Sequence, residues 1–262
     1  MAYLQITKQN IDEQHICCAL GAKQYELAVN EKKRWLKERM EEGLVFYRLD
    51  DRAKVFIEYL PANQAWAPID APNYMFVNCL WVSGRHKGQG HAAKLLERCK
   101  EDAAALGMDG IVHIVGNKKL PYLSDKAFFE HMGFKVVDEA EPYFQLMALT
   151  WNETAASPTF KPHVKQVFSP EKGISIYYTA QCPFAVGMLE ELQSAARLKG
   201  VPFRACRITS KEQAQQAPAV WTTFALYYDG KFVTHEIMSV NKFDKLLERL
   251  KPAYKPAHST NS

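Results

Sequence analysis

The spacing of apolar residues changes repeatedly along the first 150 residues, and each change predicts a new element. Alternating or β-branched apolar runs predict strands at 3–7, 44–49, 54–60, 74–82, 111–115, 134–138 and 143–150. Apolar positions that recur at helical spacing predict a largely helical region at about 10–41 and helices at about 90–106 and 124–132. This mixture predicts an α/β (α+β) fold in which helices flank a mixed sheet.

A second set of elements follows residue 170. The pattern predicts two strands, two helices and a final helix, at 174–178, 202–208, 183–199, 210–216 and 241–250. "YYDGKFV" predicts a hairpin, because Asp229-Gly230 supplies the positive φ angles of a tight turn. The order strand, Cys-Pro, helix, strand, hairpin, helix is similar to the thioredoxin fold, although Ala185 stands where a resolving cysteine would. Pro218 also lies about four residues earlier than the proline that precedes the hairpin in that fold.

Small polar residues and three prolines replace periodic apolar sequence between 150 and 170. We therefore expect a first domain at 1–151, a linker at 152–168, a smaller domain at 169–250 and a flexible tail at 251–262.

Composition narrows the classes of function. An apolar fraction of 47% in 262 residues is typical of packed globular domains, and the 33 basic and 29 acidic residues are interspersed, without a basic stripe for nucleic acid. The sequence shows neither a signal peptide nor the roughly 18 consecutive apolar residues that span a bilayer. Six scattered cysteines without zinc spacing indicate reduced thiols and no metal site. We expect a cytoplasmic protein that binds neither nucleic acid nor membrane.

The candidate for chemistry is "SGRHKGQGHA", residues 83–92, between the strand at 74–82 and an amphipathic helix. Gly88 and Gly90 let the backbone turn sharply, and the first turn of the helix offers unpaired N–H groups and a positive dipole end. Such a turn binds anions, most often phosphate, and Lys87 adds a cation. An ordinary strand–helix connection is the alternative. Neither the Walker A spacing nor the dinucleotide-binding spacing is present.

The wider stretch resembles the acetyl-coenzyme A signature of the GNAT N-acetyltransferase superfamily. The matching positions, in the order strand, loop and helix, are Leu80, Val82, Lys87, Gly90, Ala92, Leu95 and Leu96. Lys87 departs from the usual Arg or Gln, and a register that begins at Arg85 fits the paired leucines less well. "DKAFFEHMGFKVVD", residues 125–138, is similar to a later helix-turn-strand segment of the same family.

The whole chain resembles GNAT acetyltransferases that carry a YoaP-like C-terminal domain. "HICCALGAKQ", "KVFIEYLPANQAWAPI", "NCLWVSGRHKGQG", "CPFAVGMLEELQ" and "GKFVTHEI" carry this resemblance. It implies an acyltransferase that uses acetyl-CoA as co-substrate and lets an amine, of a small molecule or a protein, attack the thioester directly in a ternary complex. The acceptor and the oligomeric state stay open.

The resemblance also assigns residues to the cofactor. The loop residues would bind the pyrophosphate through their backbone amides, and the end of the strand would hold the pantetheine beside a splay in the sheet. The expected cofactor-binding residues are Leu80, Trp81, Val82, Lys87, Gly88, Gln89, Gly90, His91 and Ala92.

One position departs from the family in a way that affects the mechanism. Phe129 stands where the family commonly has the tyrosine that protonates the leaving thiolate. Tyr122 is the nearest phenol in sequence, and its alternative role is an aromatic of the core or rim. Glu58 lies in the otherwise apolar strand "VFIEYLP" and is the candidate base, because a buried carboxylate has a raised pKa; an edge-strand or outward-facing Glu58 is the alternative. Weaker candidates, each with a packed or hydrogen-bonded role as the alternative, are Asn78, Cys79 and His113.

Cys182 is a possible reactive thiol, because it precedes a predicted helix whose dipole favours a thiolate. This motivates a different class of function, a thiol-bearing binding or sensor protein with a non-catalytic first domain. A non-catalytic accessory domain with an ordinary thiol is the alternative to a chemical role for Cys182. A third possibility, compatible with acetyl transfer, is a peptide-binding accessory domain that delivers protein amines to the first domain.

Overall fold

The computed structural model describes residues 2–165 and 171–250 of the chain. The predicted tail at 251–262 and the last part of the predicted linker lie outside the described residues. Within the described residues, no helix is both long enough and apolar enough to cross a membrane.

The first part of the chain forms one large sheet and three helices. In chain order its strands are β1 (Tyr3–Ile6), β2 (Val45–Leu49), β3 (Val55–Pro61), β4 (Ile69–Asp70), β5 (Tyr74–Val82), β6 (Gly110–Gly116), β7 (Lys135–Ala140), β8 (Phe144–Thr150) and β9 (Thr159–Phe160). Its helices are α1 (Glu26–Met40), α2 (His91–Ala105) and α3 (Lys126–His131). The sheet order is β1-β2-β3-β5-β6-β8-β7, and β5 and β6 run parallel to each other.

The helices cover both faces of this sheet. The apolar side of α2 packs on one face, through Leu95, Leu96 and Cys99, and Phe129 of α3 joins the same core. Trp35 and Leu36 of α1 pack on the opposite face. Burial on both faces explains why β3, β5 and β6 are almost continuously apolar in sequence.

All seven predicted strands of the first domain are confirmed within a few residues, but the helical region at 10–41 was predicted too long. Residues 7–22 form turns, and α1 begins only at Glu26. Cys17, Ala19 and Gly21 have positive φ angles, which a right-handed helix does not allow. The two short strands that pair with each other, β4 and β9, were not predicted. β9 lies inside the predicted linker.

The second part of the chain forms a smaller α/β unit, as predicted. Its elements are β10 (Ile174–Tyr178), α4 (Pro183–Leu198), β11 (Phe203–Arg207), α5 (Lys211–Gln215), β12 (Phe224–Tyr228), β13 (Lys231–Thr234) and α6 (Val240–Leu250). The sheet order is β11-β10-β12-β13, with β10 parallel to β11 and antiparallel to β12. Thr223, and not a proline, precedes β12. The mixed sheet, with α4 as the crossover between β10 and β11, is the thioredoxin-like arrangement that the sequence indicated.

The two sheets are joined by a shared core and by polar contacts. Ile208, Ala214 and Val220 of the second part belong to the same buried cluster as Trp35 and Trp66 of the first part. The Tyr143 hydroxyl donates to Nδ1 of His235 at 2.6 Å, and Nε2 of His235 donates to the Pro121 carbonyl at 2.8 Å. The junction therefore combines a shared apolar core with polar contacts between the two parts of the chain.

Helix α4 makes its closest approach to the first domain at Gly187. A Cβ at this position would lie 2.7 Å from Cε1 of Tyr25. The Tyr25 ring also packs edge to face against Phe184, with ring centroids 5.1 Å apart. A glycine is required here because any side chain would push α4 away from the Tyr25 ring.

Candidate active site

The parallel strands β5 and β6 begin paired and then separate. Their register runs from Tyr74 opposite Gly110 to Val77 opposite His113, and no pairing continues beyond that point in the described residues. β5 nevertheless extends to Val82, and β6 to Gly116. From Asn78 onward, the edge of β5 that faces β6 is therefore not bonded to it, and the sheet opens into a cleft.

A bulge in β5 coincides with the start of the cleft. On the side of β3, Glu58 lies opposite Cys79 and Tyr59 lies opposite Val77, so Asn78 is the extra residue. A bulge breaks the regular ladder and re-aims the neighbouring side chains, a feature that is common beside active sites. Asn78 donates from its side-chain nitrogen to Oε1 of Glu58 at 3.2 Å.

The loop after β5 leads directly into α2 and presents its backbone N–H groups. Gly88 and Gly90 have φ angles of +74° and +77°. Within the described residues, no protein atom accepts a hydrogen bond from the amides of residues 88–93, whereas the Lys87 amide donates to the Gly84 carbonyl at 3.3 Å. The amides from 88 onward are thus available to an anion, and the Lys87 amide is not.

The two cations of this loop have different surroundings. Arg85 donates to the Asp51 carboxylate at 2.9 Å. Lys87 forms no ion pair with any residue in the described part of the chain.

A pocket opens on the face of the sheet that carries α1, where the first and second domains meet. Residues of the first domain that line it are Cys17, Cys18, Lys32, Lys54, Phe56, Asn78, Cys79, Trp81 and Tyr122. The second domain contributes Gln181, Cys182, Phe184, Trp221, Thr223 and Ile237. Because Asn78 lines the pocket, the pocket reaches the point where β5 and β6 separate.

A buried ion pair lies at the base of the pocket. Nζ of Lys32 donates to Oε2 of Glu58 at 2.9 Å, and both side chains are excluded from solvent. Burial by itself would lower the pKa of Lys32, but the neighbouring Cys18 and the Glu58 carboxylate outweigh it and raise that pKa. Lys32 is therefore a permanent ammonium group.

The structure buries Glu58 in the interior of the sheet, which excludes the edge-strand alternative. Its carboxylate accepts a hydrogen bond from the Lys32 ammonium at 2.9 Å and a second one from the Asn78 side chain. Sequence analysis missed Lys32. The available signal was its position on the apolar side of α1, four residues after Ala28 and three before Trp35, both buried.

Tyr122 reaches the same pocket from the loop before α3. It is 38% exposed and has a φ of +62°. Partial burial, with contributions from Cys182 and Glu236, raises the pKa of its phenol. The fold thus brings Tyr122 and Trp81 to the lining of one cavity, and Glu58 lies behind that lining, bonded to Lys32 and Asn78. Leu80 and Val82 instead face the α2 side.

Phe129 lies on the opposite face of the sheet, fully buried, and stacks on the His113 ring with centroids 4.4 Å apart. Nδ1 of His113 donates to the Val77 carbonyl at 2.7 Å, while Nε2 has no partner in the described residues. Burial lowers the pKa of His113 to about 4, so its imidazole is neutral at neutral pH.

Cys182 precedes α4 as predicted, but its environment opposes a thiolate. Burial raises the pKa of Cys182 to about 11, which is the reverse of the shift expected from the helix dipole. Burial likewise raises the pKa of Cys18 and that of Cys79. Within the described residues, no group of three or more His, Cys, Asp or Glu side chains is arranged to hold a metal ion.

Comparison with known sequences identifies two families along the chain. The profile of the Acetyltransferase (GNAT) family matches residues 11–134, and that of the YoaP-like family matches residues 202–245. An uncharacterized N-acetyltransferase YoaP of Bacillus subtilis (strain 168) is 68% identical over 250 residues, which cover 95% of this chain and 100% of that protein.

Two solved structures illustrate the fold comparison. An acetyltransferase from Thermus thermophilus has a TM-score of 0.41 and 16% identity, covering 58% of this chain and 98% of its own. The GNAT family N-acetyltransferase YhbS from Escherichia coli, in complex with CoA, has a TM-score of 0.38 and 15% identity, covering 63% of this chain and 92% of its own.

Proposed function

This chain belongs to the GNAT family of N-acetyltransferases, and we propose that it transfers the acetyl group of acetyl-CoA to an amine that attacks the thioester directly in a ternary complex. The observation that carries the proposal is the separation of β5 from β6 after Val77 and His113, beside a loop whose amides at 88–93 have no acceptor among the described residues. A cleft flanked by free N–H donors fits a long thioester that ends in a diphosphate.

The proposed cofactor site follows from these features. The amides of Gly88, Gln89, Gly90, His91 and Ala92 would bind the pyrophosphate, and the unpaired Lys87 would add a mobile cation. The strand end Leu80–Val82 would hold the pantetheine along the open edge of β5. Acetyl-CoA, the co-substrate, supplies the activated acetyl group.

In the proposed reaction, the lone pair of the amine nitrogen attacks the thioester carbonyl carbon. The C–N bond forms, the C–S bond breaks, the nitrogen loses one proton and the thiolate gains one. The products are an N-acetylated amine and free CoA. Two positioned proton carriers therefore suffice, and no oxidant or reductant is needed.

Glu58 and Tyr122 are the proposed proton carriers. Glu58 contacts the lining residues Lys32 and Asn78 through hydrogen bonds. A raised pKa keeps the Tyr122 phenol protonated at neutral pH, as a proton donor to the thiolate requires. The alternative function, a sensor that depends on the Cys182 thiolate, gains no support, because the pKa of Cys182 is raised to about 11.

Isothermal titration of the full chain with acetyl-CoA tests the proposal. We expect saturable binding with one site per chain. The absence of binding at millimolar acetyl-CoA would remove the basis of the transferase function, whatever amine is supplied.

A further inference from the structure

The pocket at the domain junction is a composite of the two domains. Six of its fifteen lining residues come from the second domain. Among these, Phe184 packs against the Tyr25 ring. Trp221 is held by the next residue in sequence, Thr222, whose hydroxyl donates to the Trp66 carbonyl. The wall from the second domain is therefore fixed by direct contacts to the first, and the pocket is incomplete without it.

The size of the pocket limits what it can hold. Its volume is about 150 Å³, comparable to the ~150 Å³ apolar cavity that accommodates one benzene molecule. One aromatic ring or a short alkyl chain with its amino group fits such a space.

The lining is mainly aromatic and apolar, with Phe56, Trp81, Trp221 and Ile237 as its largest contributors. Its charged members are Lys32 and Lys54, and no carboxylate is among the lining residues of the described chain. Glu58 neutralises Lys32 from below, whereas Lys54 is exposed and has no ion-pair partner in the described residues.

This distribution of charge selects among amines. Transfer into an apolar pocket and a nearby cation both disfavour an ammonium ion, so a bound amine is held as its neutral, nucleophilic form. A second or third ammonium group on the same molecule would meet the Lys54 charge without a carboxylate to pair with.

We propose that this pocket is the acceptor site, that its substrate is a small apolar or aromatic monoamine, and that the second domain sets the size limit through Trp221 and Phe184. The inference rests on the proposed acetyl transfer, since the pocket meets the cofactor cleft at Asn78. It gives the second domain a role as part of the acceptor site.

An amine panel with the full chain tests the inference. Product formation by mass spectrometry compares benzylamine, tyramine and hexylamine with spermidine, kanamycin and a lysine-containing peptide, each with acetyl-CoA. We expect kcat/KM for at least one small monoamine to exceed that for each polycation and for the peptide by tenfold or more.

Substitutions at the wall and at Lys54 test size selectivity and charge selectivity separately. Trp221→Ala should raise kcat/KM for naphthylmethylamine relative to benzylamine at least tenfold, with Phe184→Ala as a second variant and Trp151→Ala as a matched control outside the pocket. Lys54→Glu should raise kcat/KM for spermidine relative to that for benzylamine. Lys135 is an exposed lysine on β7, and Lys135→Glu should leave this ratio unchanged.

The outcomes distinguish failure of the acceptor-site inference from failure of the proposed acetyl transfer. If acetyl-CoA binds but polycations or peptides are preferred, or no monoamine binds the protein–CoA complex, the inference is overturned and acetyl transfer stands. Unchanged selectivity in both wall variants likewise overturns it. Failure of acetyl-CoA itself to bind removes the proposed function and the inference together.

Discussion

Nζ of Lys32 on α1 lies 2.9 Å from Oε2 of Glu58 on β3, and both side chains are buried at the base of the interdomain pocket. A buried ion pair costs desolvation energy and is stabilising only while both partners are present. The pair therefore couples the packing of α1 on the sheet to the charge beneath the proposed acceptor site.

Removing the ammonium alone should be strongly destabilising. Lys32→Met would leave the Glu58 carboxylate buried and unpaired, which costs about 3–5 kcal/mol. Urea unfolding of the single and double variants measures this. Adding Glu58→Gln to Lys32→Met should restore part of the loss, because the remaining amide is neutral. Equal losses in the single and double variants would show that the two residues are not coupled.

The cofactor loop can be tested without disturbing the rest of the fold. In Gly90→Ala, the added Cβ meets no protein atom within 4 Å but enters the space in front of the loop amides at a φ of +77°. We expect acetyl-CoA affinity to fall at least tenfold in isothermal titration. Gly107→Ala is the matched control, since its φ is +67° and its Cβ is equally free of contacts at the far end of α2.

Both alanine variants should lose about 1–2 kcal/mol of stability from the left-handed backbone. Only the first should lose affinity. An equal affinity for acetyl-CoA in the two variants would argue against the loop as the pyrophosphate site.

Replacing Gly187 on α4 with alanine should destabilise the protein, in contrast to the usual effect of this substitution inside a helix. Gly to Ala inside a helix usually stabilises by roughly 1 kcal/mol. Here the methyl group would collide with the Tyr25 ring, so we expect Gly187→Ala to destabilise by about 1–3 kcal/mol, as overpacking does. The double variant with Tyr25→Leu should recover most of this loss in urea unfolding. A stabilised Gly187→Ala protein would mean that the junction is looser than described.

His113 should make stability depend on pH. Its pKa is lowered to about 4 in the folded state, against an ordinary value of 6.5, so the unfolded chain binds the extra proton between these two values. Its contribution to stability is thus fully present above pH 6.5 and is lost progressively as the pH falls toward 4.

Urea unfolding at pH 7.5 and pH 5 measures this effect. Wild type should lose about 2 kcal/mol more than His113→Gln between the two values. The comparison isolates His113, because the other histidines titrate equally in both proteins. Parallel losses in the two proteins would show that His113 is already protonated when buried, or is exposed.

Local patterns in the sequence determined most of the elements and pointed to the proposed cofactor loop. Period changes predicted β5 and α2, and the glycines between them predicted a turn with free amides, because backbone conformation over ten residues depends mainly on neighbouring side chains. Gly88 and Gly90 could be identified for the same reason, since positive φ is a property of single residues. The same local reasoning failed at 10–41, where Cys17 and Ala19 adopt positive φ angles in the tertiary structure that their side chains do not signal.

The tertiary structure alone decided the pocket and its charges. The position of Lys32 on the apolar side of α1 indicates burial, but only the packing of that helix on the sheet shows that its partner is Glu58. Cys182 had the right local position for a reactive thiol, but its desolvation in the tertiary structure raises its pKa to about 11. Burial and charge pairing depend on surfaces from separate elements, such as α1 and β3, which bring together Lys32 and Glu58 from 26 residues apart in the chain. The sequence by itself therefore indicated the proposed cofactor loop, and the tertiary structure was needed for the proposed acceptor site.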